Sequence, residues 1–140
     1  MSTETLTGTE PHPAAHSKAA FWAGWVIGGL PALFLLFDAG MKLAKPAFVV
    51  EATVELGFPV EAIVPLGAVL LAATLLYLFP RTSALGAILL TGYLGGAVAT
   101  HVFARHGAFE VTFPVVFGVL LWLGLYLREP RLRALTPVRR

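Results

Sequence analysis

Polar and apolar positions fall into long blocks along this chain, not into a fine alternation. A polar leader, residues 1–18, is followed by four uncharged runs at 19–37, 62–80, 82–100 and 111–127. Each run is 17 to 19 residues long and contains no Asp, Glu, Lys, Arg or His. A hydrocarbon core about 30 Å thick takes roughly 20 helical residues to cross. Backbone polarity in lipid is satisfied only within a helix or a closed barrel, and the strict alternation of a barrel strand is missing. The pattern predicts an all-α polytopic membrane protein, an antiparallel four-helix transmembrane bundle over residues 19–128. Only Arg81 separates the second run from the third, which forces a tight hairpin.

The longest connection, residues 38–59, carries a pattern of its own. Pro46 suits a first helical residue, and Gly57-Phe58-Pro59 reads as a stop. Between them Phe48, Val49, Val50, Val54 and Leu56 mix with Glu51 and Glu55, which are four apart and share a face. This predicts a short helix lying in the outer interface. Periodicity alone leaves an ordinary loop held by its apolar side chains equally open. Pro31 in the first run and Pro65 early in the second should perturb their helices locally. Pro114 should fall in the first turn of the fourth.

Composition narrows the class. The chain is 57% hydrophobic and 13% charged, with a mean hydropathy of +0.79, whereas soluble domains carry about 25% charged residues. Four spans leave no length for a second domain. The net charge of +2 sits beside the spans and forms no basic face, so no nucleic acid is expected as partner. The chain has no cysteine, which removes disulfides, thiolate metal sites and thiol redox chemistry.

The charges instead report topology. With four spans, one side carries Lys18, Arg81, Arg128, Arg131, Arg133, Arg139 and Arg140, seven in all. The other carries Lys42, Lys45 and Arg105, three in all. The positive-inside rule then puts both termini in the cytoplasm of a multi-pass inner-membrane protein. Residues 1–18 are expected to be a disordered cytoplasmic tail and 129–140 a basic one. A cleaved leader is the rival for the start, but its apolar core would be long and would follow an unusually long polar segment. Trp22, Trp25, Tyr77, Phe79, Trp122 and Tyr126 should sit at the inner interface, where amphipathic rings collect.

Small residues mark candidate packing faces. Gly24, Gly28 and Ala32 recur every four residues in the first run, and Gly92, Gly96 and Thr100 do so in the third. Inside lipid, close backbone approach along such stripes does much of the work of helix association. A substrate lying against a glycine-smoothed wall is the functional alternative.

The run Thr91-Gly92-Tyr93-Leu94-Gly95-Gly96-Ala97-Val98-Ala99-Thr100-His101 resembles the third-helix signature of the DoxX-like membrane proteins. The ending from Leu121-Trp122-Leu123-Gly124 through Arg128-Glu129-Pro130-Arg131-Leu132 is similar to that family's last helix and tail. Asp38-Ala39-Gly40-Met41-Lys42-Leu43 and Glu55-Leu56-Gly57-Phe58-Pro59 resemble its first helix end and first loop. The likeness implies a small four-helix bundle in a bacterial membrane. Relatives are associated with sulfur-compound oxidation feeding quinone, with redox homeostasis, or with assisting other membrane proteins. The cysteines of a thiol-based role are missing here.

Chemistry is expected at one depth. Asp38 and His101 each lie near the outer ends of their helices, and Glu61 and Glu110 begin the next spans, so these groups should gather with Lys42 and Arg105. Ionisable groups close to a membrane core are functional candidates. Asp38 and Lys42, four apart with the acid first, could equally be a simple intrahelical pair. His101 is the best single candidate for proton transfer, although it points about a quarter-turn from the Gly96–Thr100 stripe. No metal site is expected: His12 and His16 lie in a Pro-interrupted tail, and His101 and His106, five apart, face different ways. Gly92-Tyr93-Leu94-Gly95-Gly96 lacks the strand and the spacing of a nucleotide loop.

The resemblance, set beside packing surfaces and little sign of a catalytic set, implies an accessory or partner-stabilising protein linked to membrane redox processes, with a membrane-protein partner or a second copy beside it in the bilayer. The alternative is an outer-facing site for a small lipid-soluble molecule such as a quinone, built from Asp38, Lys42 and His101. A transporter is the weakest reading, since no charge falls at mid-depth.

Overall fold

The structure, a computed structural model, describes residues 14–135, with side chains from Lys18 onward. Its helices are α1 (Ala14–Ala44), α2 (Ala47–Glu55), α3 (Ile63–Leu78), α4 (Ser83–Phe103), α5 (Ala108–Arg128) and α6 (Pro130–Leu135). A single 3₁₀ turn, Val60–Ala62, leads into α3. Among the described residues, four helices are long and apolar enough to cross a membrane: α1, α3 with its 3₁₀ turn, α4 and α5. They correspond to the four uncharged runs.

The bundle closes in the order α1, α3, α4, α5 and back to α1, which leaves α1 diagonal to α4 and α3 diagonal to α5. The start of α1, the end of α5 with α6, and the α3–α4 turn share one end of the bundle, here the tail end. The opposite end, with α2 and the α4–α5 connection, is the loop end. Alanines face leucines in the core: Ala32, Ala39, Ala73 and Ala87 lie among Leu35, Leu70, Leu90, Leu121 and Leu125. Large apolar side chains such as Trp22, Phe37 and Phe109 point outward, an arrangement that suits a lipid solvent.

Local rules explain the boundaries. Pro46, extended at φ −65° and ψ 153°, caps α2, one residue earlier in role than expected. Gly57 takes φ +94°, and the amides of Gly57 and Phe58 donate to the carbonyls of Val54 and Thr53. That is a Schellman ending, which wants a left-handed glycine at this position. The anticipated short helix is therefore real. Pro65 lies in the first turn of α3, where a missing N–H costs nothing, and α1 runs unbroken through Pro31.

Three boundaries differ from the sequence reading. α1 begins at Ala14, inside the expected tail, while residues 1–13 and 136–140 lie outside the described residues. α5 opens at Ala108, capped by Gly107, so Pro114 sits in its second turn and is buried. There the proline frees the Glu110 carbonyl of its helical partner. The basic tail also folds further than expected. Pro130 starts α6, a position proline favours, and Leu132 packs against the core.

Candidate functional site

The sequence-predicted residues do not form one site. On α1, Lys42 Nζ donates to Asp38 Oδ2 at 2.5 Å, an i,i+4 pair within one helix. The Cβ of Lys42 lies close against Gly67 of α3, so the lysine stem is packed and only its head is free to reach back. Glu61, Arg105 and Glu110 are exposed.

His101 answers to a different neighbourhood. It lies eleven residues after Leu90 and seven after Leu94, both buried. At about 100° per residue it shares their inward azimuth, and its side chain is half-buried at the loop end. The chain then turns sharply. Arg105 adopts φ 58°, and the amides of Arg105 and His106 donate to Val102 and His101 carbonyls. This is again a Schellman ending, but with arginine at the left-handed position that usually takes glycine.

The turn carries His106 back over His101, against the expectation that the two face different ways. Their Nδ1 atoms lie 2.9 Å apart, with ring centroids at 5.1 Å. One ring must donate while the other accepts, because two donors cannot share that contact. Around the pair is a shallow hollow of about 280 Å³, lined also by Ala52, Glu55, Leu56, Gly107 and Glu110. Among the described residues no group of three or more metal-ligating side chains comes together.

The predicted packing glycines divide. Gly24 and Gly28 meet Gly124 of α5, and a methyl group on Gly24 would lie 2.6 Å from the Gly124 carbonyl oxygen. Gly92 and Gly96 have nothing within 4 Å of a built Cβ and are exposed. The expectation that they pack in the bundle is corrected: the buried face of α4 runs through Gly86, Leu90 and Leu94, and the stripe turns to the opposite side. The sequence could not choose between the two faces because both are apolar.

The tail end holds a cluster that sequence reasoning took for topology and interface markers. Tyr77, in the last turn of α3, is fully buried, and its hydroxyl donates to the Leu121 carbonyl at 2.6 Å across the bundle. Arg128 is only 7% exposed. Its guanidinium carbon stands 4.1 Å from the Trp25 ring centroid and 4.6 Å from that of Tyr77. Its Nη2 donates to the Tyr77 carbonyl at 2.8 Å, and its Nε has no partner. That carbonyl belongs to the last turn of α3, where unpaired carbonyls concentrate negative charge. The cation stands between two rings and a helix C-terminus, and its direct contacts are those rings and a backbone carbonyl. The signal available in sequence was weak: a cation closing a span in a chain with spare aromatics.

A groove of about 640 Å³ runs between α4 and α5 on the outside of the bundle. Gly95 and Gly118 form its floor, and Trp122, Tyr126 and Leu132 close its tail end. Trp122 Nε1 donates to Thr91 Oγ1 at 2.6 Å, and that hydroxyl donates to the Ala87 carbonyl. The indole N–H of Trp122 and the hydroxyl of Thr91 are thus both satisfied.

No curated protein and no solved structure matches the chain. A family model does match, over residues 26–124. It covers the four spanning helices from early α1 to late α5, and by that match the chain belongs to the DoxX-like family.

Proposed function

We propose that this DoxX-like protein is an accessory membrane protein that associates with a partner in the bilayer and stabilises it, in the service of membrane redox processes. The observation that carries the reading is the outward face of α4. Gly92 and Gly96 have open space where a Cβ would lie, and Ala99 beside them is exposed. Glycine inside a helix costs about 0.5–1 kcal/mol relative to alanine, and lipid gives nothing back for it. A neighbouring helix does, because small residues let backbones approach. Asp38 and Lys42, meanwhile, satisfy each other within α1.

The test exploits the isolation of Gly96. Gly96→Leu should melt within about 0.5 kcal/mol of wild type, the usual range for substitutions away from packed features. A photo-reactive residue at position 96 should yield a protein adduct, either with a second copy or with another membrane protein. The same probe at Leu33 on the outer side of α1 should label lipid. Protein-free labelling at both positions would end this reading.

A second reading, a site for a small lipid-soluble molecule such as a quinone, is favoured by the hollow around His101 and His106. A hydrogen-bonded pair there, beside Glu55 and Glu110, supplies groups that exchange protons at the edge of the bilayer. Orientation follows from the seven-to-three excess of Lys and Arg at the tail end, which favours cytoplasmic termini in an inner membrane. A reporter that fluoresces only in the cytoplasm, fused after Arg140, should be bright. A dark but inserted fusion would reverse the orientation.

A further inference from the structure

We propose that His101 and His106 form a surface site for a divalent transition-metal ion, with copper(II) the ion of best fit. Both imidazoles belong to one turn, and Arg105 at φ 58° folds the second ring back over the first. Their Nδ1 atoms converge at 2.9 Å. An ion about 2.0–2.1 Å from each imidazole nitrogen would see nitrogens at that spacing under an angle of about 90°. A tetrahedral ion with the same bond length needs them about 3.3 Å apart. Right-angled nitrogen pairs belong to tetragonal copper(II) and nickel(II) sites, and copper(II) binds such donors the more tightly of the two. For the ion to enter, the ring that donates at Nδ1 passes its proton through water to Nε2. Both Nδ1 lone pairs then face the ion, and both imidazoles stay neutral, the form that ligates metals.

The surroundings suit a cation. The hollow around the pair is lined by Glu55 of α2 and Glu110 of α5, and among the described residues its lining holds no lysine or arginine. Arg105, between the two histidines in the chain, is exposed and outside that lining. Glu110 Oε2 lies 3.1 Å from where a Cβ on Gly107 would stand, so one carboxylate is next to the residue that follows His106. The two acids add attraction for a doubly charged ion. Two protein nitrogens leave the remaining coordination positions to water. His106 is exposed, and a hollow of about 280 Å³ holds several waters at about 30 Å³ each. The inference rests on neither reading above. It needs no neighbouring helix and no organic molecule, so both can stand if it fails.

The test uses the full-length protein in mild detergent, purified without a histidine tag. His12 and His16, the other two histidines of the chain, are changed to Gln so that any imidazole signal comes from the pair. Copper(II) alone is titrated in and followed by electron paramagnetic resonance. One equivalent should bind with a tetragonal spectrum split by two imidazole nitrogens. Losing a group that merely supports a metal ligand already costs about 10–100-fold in affinity. Losing a ligand itself, in His101→Gln or His106→Gln, should therefore weaken binding by at least about tenfold. Copper should raise the melt of the parent and leave that of either variant unchanged. Where His101→Gln lowers the melt by itself, His106→Gln, at an exposed position, carries the comparison. Splitting from fewer than two nitrogens in the parent would overturn the proposal, as would equal copper affinity in the parent and His106→Gln.

Discussion

Gly124→Ala should be among the most damaging single methyl groups that can be added to this protein, and it should act by prising α1 from α5. The new Cβ would lie 2.5 Å from the Gly28 amide nitrogen, 2.6 Å from the Gly28 Cα and 2.8 Å from the Gly24 carbonyl oxygen. All three are backbone atoms, so no rotamer can yield and the helices must separate. Two effects compete. Helix propensity favours alanine over glycine by about 0.5–1 kcal/mol. Overpacking a tight contact typically costs about 1–3 kcal/mol, and a backbone collision belongs at or above the top of that range. Packing wins, and a loss of about 3 kcal/mol is a large share of the roughly 5–15 kcal/mol that holds a domain folded. Gly92→Ala is the control. With open space around it, the propensity term acts alone and stability should hold or rise. Thermal unfolding of the two variants in one detergent should give shifts of opposite sign. A Gly124→Ala melt equal to wild type would mean that α1 and α5 do not meet as described.

The contrast between these glycines also marks where sequence reasoning stopped. The four spans were legible because a bilayer demands length and lack of charge, and residues 19–37, 62–80, 82–100 and 111–127 supply both. α2 was legible from Pro46 and Gly57, residues with strong backbone preferences. What could not be read was helix rotation. A helix in water betrays its buried face by a polar opposite face, but these are apolar all round. Gly92 and Gly96 therefore looked as good as Gly24 and Gly28. The partner of the α1 pair, Gly124, stands alone in α5 with no small residue four positions away. Only the fold shows that one glycine meets two.

The same limit applies to the chemistry. Asp38 and Lys42 were visible as a pair because i,i+4 neighbours need only helix geometry. His106 was misread because its approach to His101 depends on Arg105 taking a left-handed conformation, which no rule would assign to arginine before glycine. Arg128 was counted as a topology charge, since its three contacts come from two distant residues, Trp25 of α1 and Tyr77 of α3, and nothing local points to them.

Arg128 should prove structural as well as topological, and lysine should separate the two roles. Arg128→Lys keeps the charge at the tail end, so a cytoplasmic reporter after Arg140 should stay as bright as in the parent. Lysine cannot lay a flat, delocalised cation across Trp25 and Tyr77 while still reaching the Tyr77 carbonyl. The bond from a charged donor is worth about 1.5–3 kcal/mol, and each desolvated cation–π contact about 0.5–2 kcal/mol. Desolvating the buried guanidinium offsets part of this, and lysine recovers another part, so a net loss of about 2 kcal/mol is expected. Arg128→Ala should lose more, because the Tyr77 carbonyl is left unpaired and a void opens between the two rings. Arg131→Ala, at an exposed position one turn on, should stay within about 0.5 kcal/mol of wild type. The deciding comparison is Arg128→Lys by melt and by reporter together. A lowered melt with unchanged orientation assigns Arg128 to the seam between α1, α3 and α5. An unchanged melt would reduce it to one more positive charge at the membrane edge.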